Sequence, residues 1–253
     1  MHSSSRSRPR HGGFTLVEML VVVAIITILA AILVPAVYMG LSAASDARIA
    51  IEISNLDAAM RQYKTVTHGH YPPNFTTAAQ ANAHIQQKFG RYNPTTATVT
   101  PPPGLDPAEA LVFWLQGYGS NPEDPLVGRK ELFDFDESRL IDNGDGDQYL
   151  VYYPRGGQNI PYVYFHSASY ATIKYGDGAN ELRVGTGVAH PYMRDGGTEF
   201  ANADSFQMHS AGQDGDWGAD STTKQFPAGV NYNEADGDNM TNFSEGTLAD
   251  QIP

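Results

Sequence analysis

Gly12-Gly13-Phe14-Thr15-Leu16-Val17-Glu18-Met19-Leu20 is the stretch whose reading decides the architecture. From Phe14 the chain runs on to Val34 with Glu18 as its only charge. That is about 21 residues, enough to cross the hydrocarbon core of a bilayer as one helix. The residues before it, Met1 to Gly13, are polar and basic, with Arg6, Arg8 and Arg10 and no acid. A basic flank keeps that end in the cytoplasm, so the remainder of the chain is expected on the far side of the membrane. An ordinary secretory signal is cut after its apolar stretch. Here the small residues stand before it, and a cut there removes the basic leader but leaves the helix on the mature protein.

Glu18 is the informative residue within the stretch. A carboxylate near the start of a membrane helix is costly unless it is paired or protonated. Taken alone it could also be an interfacial acid that reaches back to water. Gly13 followed by Phe-Thr-Leu-Val-Glu resembles the class III signal of type IV pilins and type II secretion pseudopilins. The resemblance implies cleavage between Gly13 and Phe14 by a prepilin peptidase and methylation of the new amino group of Phe14. It also implies that Glu18 pairs with the free amine of a neighbouring subunit during assembly.

Outward from the span, Pro35 and Gly40 follow the apolar run, and Pro35 predicts a kink or local unwinding. Ile49, Ile53, Leu56, Met60 and Tyr63 then recur at alternating spacings of four and three, which makes one apolar stripe on an amphipathic helix. Asp46, Arg48, Glu52, Asp57 and Arg61 occupy the other face. This half is expected to pack on a sheet in the head, with the helix ending before Gly69 and leading into Tyr71-Pro72.

Composition bounds the rest. The 253 residues suffice for one membrane helix and one globular head, 41% of them are hydrophobic, and the formal net charge is -12. Basic residues are not clustered, which disfavours a nucleic-acid binder. Without any cysteine there can be no disulfide, thiolate zinc site or Cys nucleophile, so the head needs core packing or a bound ion.

In the head, 75–104 reads as a Pro-, Thr- and Ala-rich loop with a short helix around His84 to Phe89. Asp106, Pro107 and Glu109 predict a capped helix that ends at Gly117, with Trp114 in the core. Tyr149 to Tyr153 and Tyr162 to Phe165 read as strands, and as a plausible hairpin. Ser169 to Tyr175 is a weaker strand and Ser205 to His209 a further one. The tyrosines also admit a sugar-binding strip, although such residues more often suit a half-buried strand.

Three acidic loops carry what chemistry the sequence offers: Asp142 to Asp147, Ser210 to Asp216, and Asp236 to Asn239. Calcium takes several hard oxygens at short range, and Gly lets carbonyls turn inward beside carboxylates. None of the loops has the terminal glutamate of an EF-hand, and Asp and Gly are equally the default residues of solvated turns. The second and third loops resemble the calcium loop of major type II secretion pseudopilins. Ser210, Gly212, Asp214 and Gly215 match its opening, and Asp238-Asn239-Met240-Thr241-Asn242-Phe243 resembles its closing, across an unusually long interval. The resemblance implies one Ca²⁺ held by Asp214 and Asp238, with Ser210, Asp216 and Asp236 as further ligands.

No His-Glu-x-x-His pair, Gly-x-Ser-x-Gly elbow or phosphate loop is present, so no catalytic residue is nominated and the chain reads as a non-enzyme. The expected fold is α+β and pilin-like: a long N-terminal helix on a small antiparallel sheet. The expected segments are a leader at 1–13, an assembly helix at 14–37, an amphipathic half and exit turn at 38–72, and an extracytoplasmic head at 73–253. The leading expectation is a type II secretion pseudopilin in the inner membrane. Its partners would be a prepilin peptidase, other pilin-like subunits and a membrane assembly platform, with its head in the periplasm. A surface type IV pilin is the alternative, and a membrane-anchored enzyme or carbohydrate-binding module the third.

Overall fold

The structure, a computed structural model, describes residues 14–144, 147–155, 160–176 and 187–253. Contacts divide the chain into two compact units, one through Ala43 and the other Ala44–Pro253. The fold is α+β. Helix α1 (Leu16–Val66) contributes to both units and continues through Pro35 without interruption. The local unwinding expected at Pro35 does not break it. A proline costs a long helix one hydrogen bond, and the turns on either side retain theirs.

In the first unit the apolar side chains of α1 face outward: Leu16 is 80% exposed and Ile32 68%. By length and composition this helix can cross a membrane.

In the second unit α1 presents the predicted stripe. Ile49, Ile53, Leu56, Met60 and Tyr63 are all buried, joined by Ala59. They meet Tyr152, Tyr162, Tyr164, Phe206 and Met208 in one apolar cluster, while Tyr63 packs with Trp114 and Phe75 in another. The helix ends at Val66 and the chain turns at Gly69, whose φ of +99° suits only glycine well.

Two shorter helices follow. Helix α2 (Ala78–Lys88) starts earlier than the sequence suggested, because Thr77 and Gln80 form a capping box there. Helix α3 (Pro107–Leu115) starts as predicted. Asp106 accepts from the amides of Ala108 and Glu109 at 2.7 and 2.8 Å, and Glu109 reaches back to the Asp106 amide at 3.0 Å. Trp114 is core, its indole donating to the Pro73 carbonyl at 2.9 Å.

The strands are β1 (Leu140–Asp142), β2 (Leu150–Tyr152), β3 (Val163–His166), β4 (Met193–Arg194), β5 (Phe206–Ser210), β6 (Gln225–Phe226) and β7 (Met240–Thr241). The main sheet is antiparallel with order β3-β5-β7; β1 and β2 pair separately, and β4 and β6 make a short parallel pair. The expected hairpin does not form. Strand β2 pairs with β1, and β3 pairs with β5, Val163 opposite His209. A backbone bond from the Tyr162 amide to the Tyr152 carbonyl links the two predicted arms. Most of the weak strand at Ser169 to Tyr175 is instead a 3-10 turn (Ser167–Ser169), whose Ala168 amide is capped by the His166 ring, and further turns; only Tyr175 pairs, in an isolated antiparallel bridge with Ala189. Tyr152, Tyr153, Tyr162 and Tyr164 are buried, so they form core and not a surface strip for sugar.

A polar knot fixes α1 to the sheets. Glu52 and Arg139 form an ion pair at 2.5 Å, and Glu52 also accepts from the Tyr162 hydroxyl at 2.8 Å. Arg139 donates to the Tyr153 carbonyl at 2.9 Å. Near the far end of α1, the His84 ring lies 2.9 Å from the Tyr63 hydroxyl.

Burial, followed by the neighbouring His70 and His166, pushes the His84 pKa down from 6.5 to about 4. A His kept neutral by the fold is protonated more readily in the unfolded chain, so its contribution is complete above pH 6.5 and is lost as pH falls towards 4. Across that window His84 should cost the head up to roughly 3 kcal/mol. Denaturant melts over the same range should show a shallower acid slope for His84→Gln; an unchanged slope would mean that His84 is not the responsible group.

Candidate functional site

At the N-terminus, the Thr15 amide and hydroxyl both donate to Glu18 Oε2 at 2.8 Å, and the Glu18 amide donates to Thr15 Oγ1 at 3.2 Å. This is a reciprocal capping box, and Thr-x-x-Glu before an apolar run is its sequence signature. The Glu18 carboxylate is thereby held back over the first turn by Thr15, and Phe14, the residue before Thr15, is 77% exposed. Gly13 lies outside the described residues, as do Gly12 and Arg6 to Arg10. Around the box every large apolar side chain among the described residues of the first unit is exposed.

The C-terminal loops divide the five residues nominated for calcium into separate environments. Asp238 reaches across to the second loop, its Oδ2 accepting from the amides of Gln213 and Asp214 at 2.7 and 2.9 Å. Its Oδ1 is buried without a hydrogen-bond partner. Asp214 lies against it, and burial and then the adjacent Asp238 and Asp216 charges raise the Asp214 pKa. Asp238 is raised by burial and, among charges, by Asp46 on α1. Gly212 makes the approach possible: its φ is +60°, and a Cβ there would sit 2.3 Å from Asp238 Cγ. Ser210, the last residue of β5, is fully buried with its hydroxyl unpartnered.

Asp216 and Asp236 are placed elsewhere. Asp216 accepts from the Gly218 amide at 2.8 Å and shapes the turn after the loop. Asp236 is fully buried and already holds a cation: Lys224 Nζ is 2.6 Å from its Oδ1. Its Oδ2 accepts from the amides of Asn233 and Ala219 at 2.8 and 3.0 Å. The long interval between the two loop halves thus supplies Asp236 with its own ammonium.

Among the described residues no group of three or more His, Asp or Glu side chains is placed to hold a metal ion. What the loops do offer is a carboxylate pair with an orphaned buried oxygen, a glycine cradle and an unpartnered hydroxyl. Calcium accepts such mixed oxygen sets, completed by carbonyls and water. Of the first acidic loop, Asp142 lies in β1 and bonds the Gly144 amide, while 145–146 lie outside the described residues.

Sequence reading missed three contributors. Gln213 donates to Asp46 across the loop, Asp46 brings α1 to the same corner, and Lys224 neutralises Asp236. Only Asp46 left a signal, as an acid on the polar face of a helix whose opposite face is core.

Comparison with known proteins finds one family match, the prokaryotic N-terminal methylation motif, over residues 8–34. No curated protein and no solved structure matches the chain.

Proposed function

Starting from a pilin-like chain that carries a prepilin signal, we propose that it is a pseudopilin of a type II secretion-type filament. The motif implies processing by a prepilin peptidase and assembly with pilin-like subunits. The observation that carries the filament reading is the combination at the N-terminus: the methylation motif, and a helix that starts within it and whose large apolar side chains from Leu16 to Leu41 are exposed. Such a helix anchors the precursor in the inner membrane and, in a filament, packs against its counterparts.

In this reading the peptidase cuts between Gly13 and Phe14, and the new amine of Phe14 is methylated. The Glu18 carboxylate, held over the first helical turn by Thr15, is the group that meets a neighbour's amine. The motif serves surface pilins equally. What favours secretion is the absence of cysteine and the Ser210-x-Gly212-x-Asp214-Gly215 loop. The head, on the extracytoplasmic side, is proposed to hold one Ca²⁺ at Asp214 and Asp238, with Ser210 beside them. We assign it no enzymatic role.

One experiment tests processing and assembly together. Membrane-extracted wild type and Glu18→Ala are both expected to have an intact mass beginning at Phe14, with only wild type cross-linking efficiently between subunits. A mature chain that still carries Arg6 to Gly13 refutes the signal. Wild-type cross-linking in the variant refutes the role of Glu18. To separate secretion from a surface fibre, exported proteins and surface filaments are compared in a strain lacking the chain; loss of fibres with normal export selects the pilus.

A further inference from the structure

The C-terminal half of the head contains a buried amine and carboxamide around one carbonyl oxygen, with a buried carboxylate against the amine, and neither the filament nor the calcium reading uses them. Lys224, Asp236, Asn239 and Tyr192 are 1%, 0%, 1% and 3% exposed. Lys224 Nζ donates to the Trp217 carbonyl at 2.7 Å and lies 2.6 Å from Asp236 Oδ1. Asn239 Nδ2 donates to the same Trp217 carbonyl at 3.4 Å, which brings the lysine nitrogen and the carboxamide nitrogen around a single atom. Asn239 Oδ1 is buried without a hydrogen-bond partner. Tyr192 is packed beside them, its ring centre 5.8 Å from Lys224 Nζ, and burial followed by the Asp236 charge pushes its pKa up.

We infer that Lys224 and Asn239 are joined by an intramolecular amide bond whose formation is assisted by Asp236.

The step balances with the groups present. The Lys224 ammonium passes a proton to the Asp236 carboxylate, and the freed nitrogen lone pair adds to Asn239 Cγ. The bond from Cγ to Nδ2 then breaks, and an amide between Lys224 Nζ and Asn239 Cγ remains. The departing nitrogen leaves as ammonium, carrying the two protons that Lys224 has lost, and Asp236 is a carboxylate again. No oxidant, metal or second substrate is needed.

Geometry supplies what such a reaction lacks in solution, where an amine and an unactivated carboxamide are inert. The backbones of all three residues are fixed: the Lys224 carbonyl accepts from Met193, the Asp236 carbonyl from Asn239, and the Asn239 carbonyl from Leu248. Holding reactants in place is worth many orders of magnitude in effective concentration. Burial excludes the water that would compete for the carboxamide and solvate the ammonium. Asp236 is positioned independently through its other oxygen by Asn233 and Ala219. Trp217, whose carbonyl orients both nitrogens, is itself core.

The link also answers a need of this chain. With no cysteine, it cannot close its long C-terminal segment by a disulfide. An amide between 224 and 239 closes that segment covalently, limiting the unfolded chain in the way a disulfide does.

The test is the mass of the full-length chain, extracted in detergent and measured whole. It is expected to be lighter by one molecule of ammonia than the mature chain with its Phe14 amine methylated. A succinimide at Asn143-Gly144 would cause the same loss, so the position is read from a tryptic digest. The expected product is one branched peptide joining Lys224 to Asn239, with no cleavage between Lys224 and Gln225. Lys224→Arg, Asn239→Ala and Asp236→Asn should each lack the branch. A full mass, or linear peptides with free Lys224, overturns the inference. So does a loss of water with Lys224 joined to Asp236, which would remove Asn239 from the reaction. Because the wild-type mass decides the question, a variant that fails to fold leaves the test intact.

Discussion

Glu52→Ala in the head unit, Ala44–Pro253, is expected to lower its stability by about 3–5 kcal/mol. The size follows from what is left behind. The Glu52 and Arg139 side chains are each only 13% exposed, and Glu52 is the counter-charge that lets the guanidinium sit there. Removing one partner of a buried pair strands the other without water to solvate it. The Tyr152 and Tyr162 hydroxyls, both donors to Glu52, lose their acceptor as well. In a head of this size the melting temperature should fall by on the order of 10 °C. Glu52→Ala combined with Arg139→Met should recover much of the loss, because no unpaired charge then remains. A single variant that melts within a degree or two of wild type would show that the pair is ornamental and that apolar packing alone docks the helix.

That knot also shows where sequence reading stops. The stripe from Ile49 to Tyr63 was legible because helical periodicity is a local property, and every member of it is buried. Glu52 sits on the polar face by the same periodicity, yet its partner lies far along the chain, and no local pattern announces Arg139. Strand pairing fails for the same reason. Aromatic and β-branched content marks Leu150–Tyr152 and Val163–His166 as strands but carries no record of their partners, which prove to be β1 and β5. The start of α3 was legible to the residue because a capping box is a short, nearly self-sufficient hydrogen-bond circuit. The box at Thr15 and Glu18 is written in the same local signature, Thr-x-x-Glu before an apolar run. In the C-terminal loops the sequence brought Asp214 and Asp238 to one place. It could not foresee that Lys224, inside the long interval between the loops, turns to Asp236 and takes it out of the set.

Chelation should lower the melting temperature of the head, and Ca²⁺ should restore it. The metal-free corner sets like charges together: Asp214 and Asp238 face one another, with Asp46 nearby, and burial weakens the hydration of the first two. Asp238 Oδ1 is buried with no donor, a cost on the order of 1–3 kcal/mol that a cation would relieve. An ion that binds only the folded state stabilises it by about 2.7 kcal/mol when its free concentration is a hundred times the dissociation constant. Mg²⁺ should restore less, because it demands octahedral geometry at short distances and the Gly212 to Gly215 loop is irregular. Asp214→Ala with Asp238→Ala should abolish the response to chelator. Asp236→Asn should leave it intact, since Asp236 is committed to Lys224. A wild-type head that melts at one temperature in chelator and in excess Ca²⁺ would reduce these loops to solvated turns. The N-terminal motif and the exposed first half of α1 would be untouched, because nothing in the filament reading depends on an ion in the head.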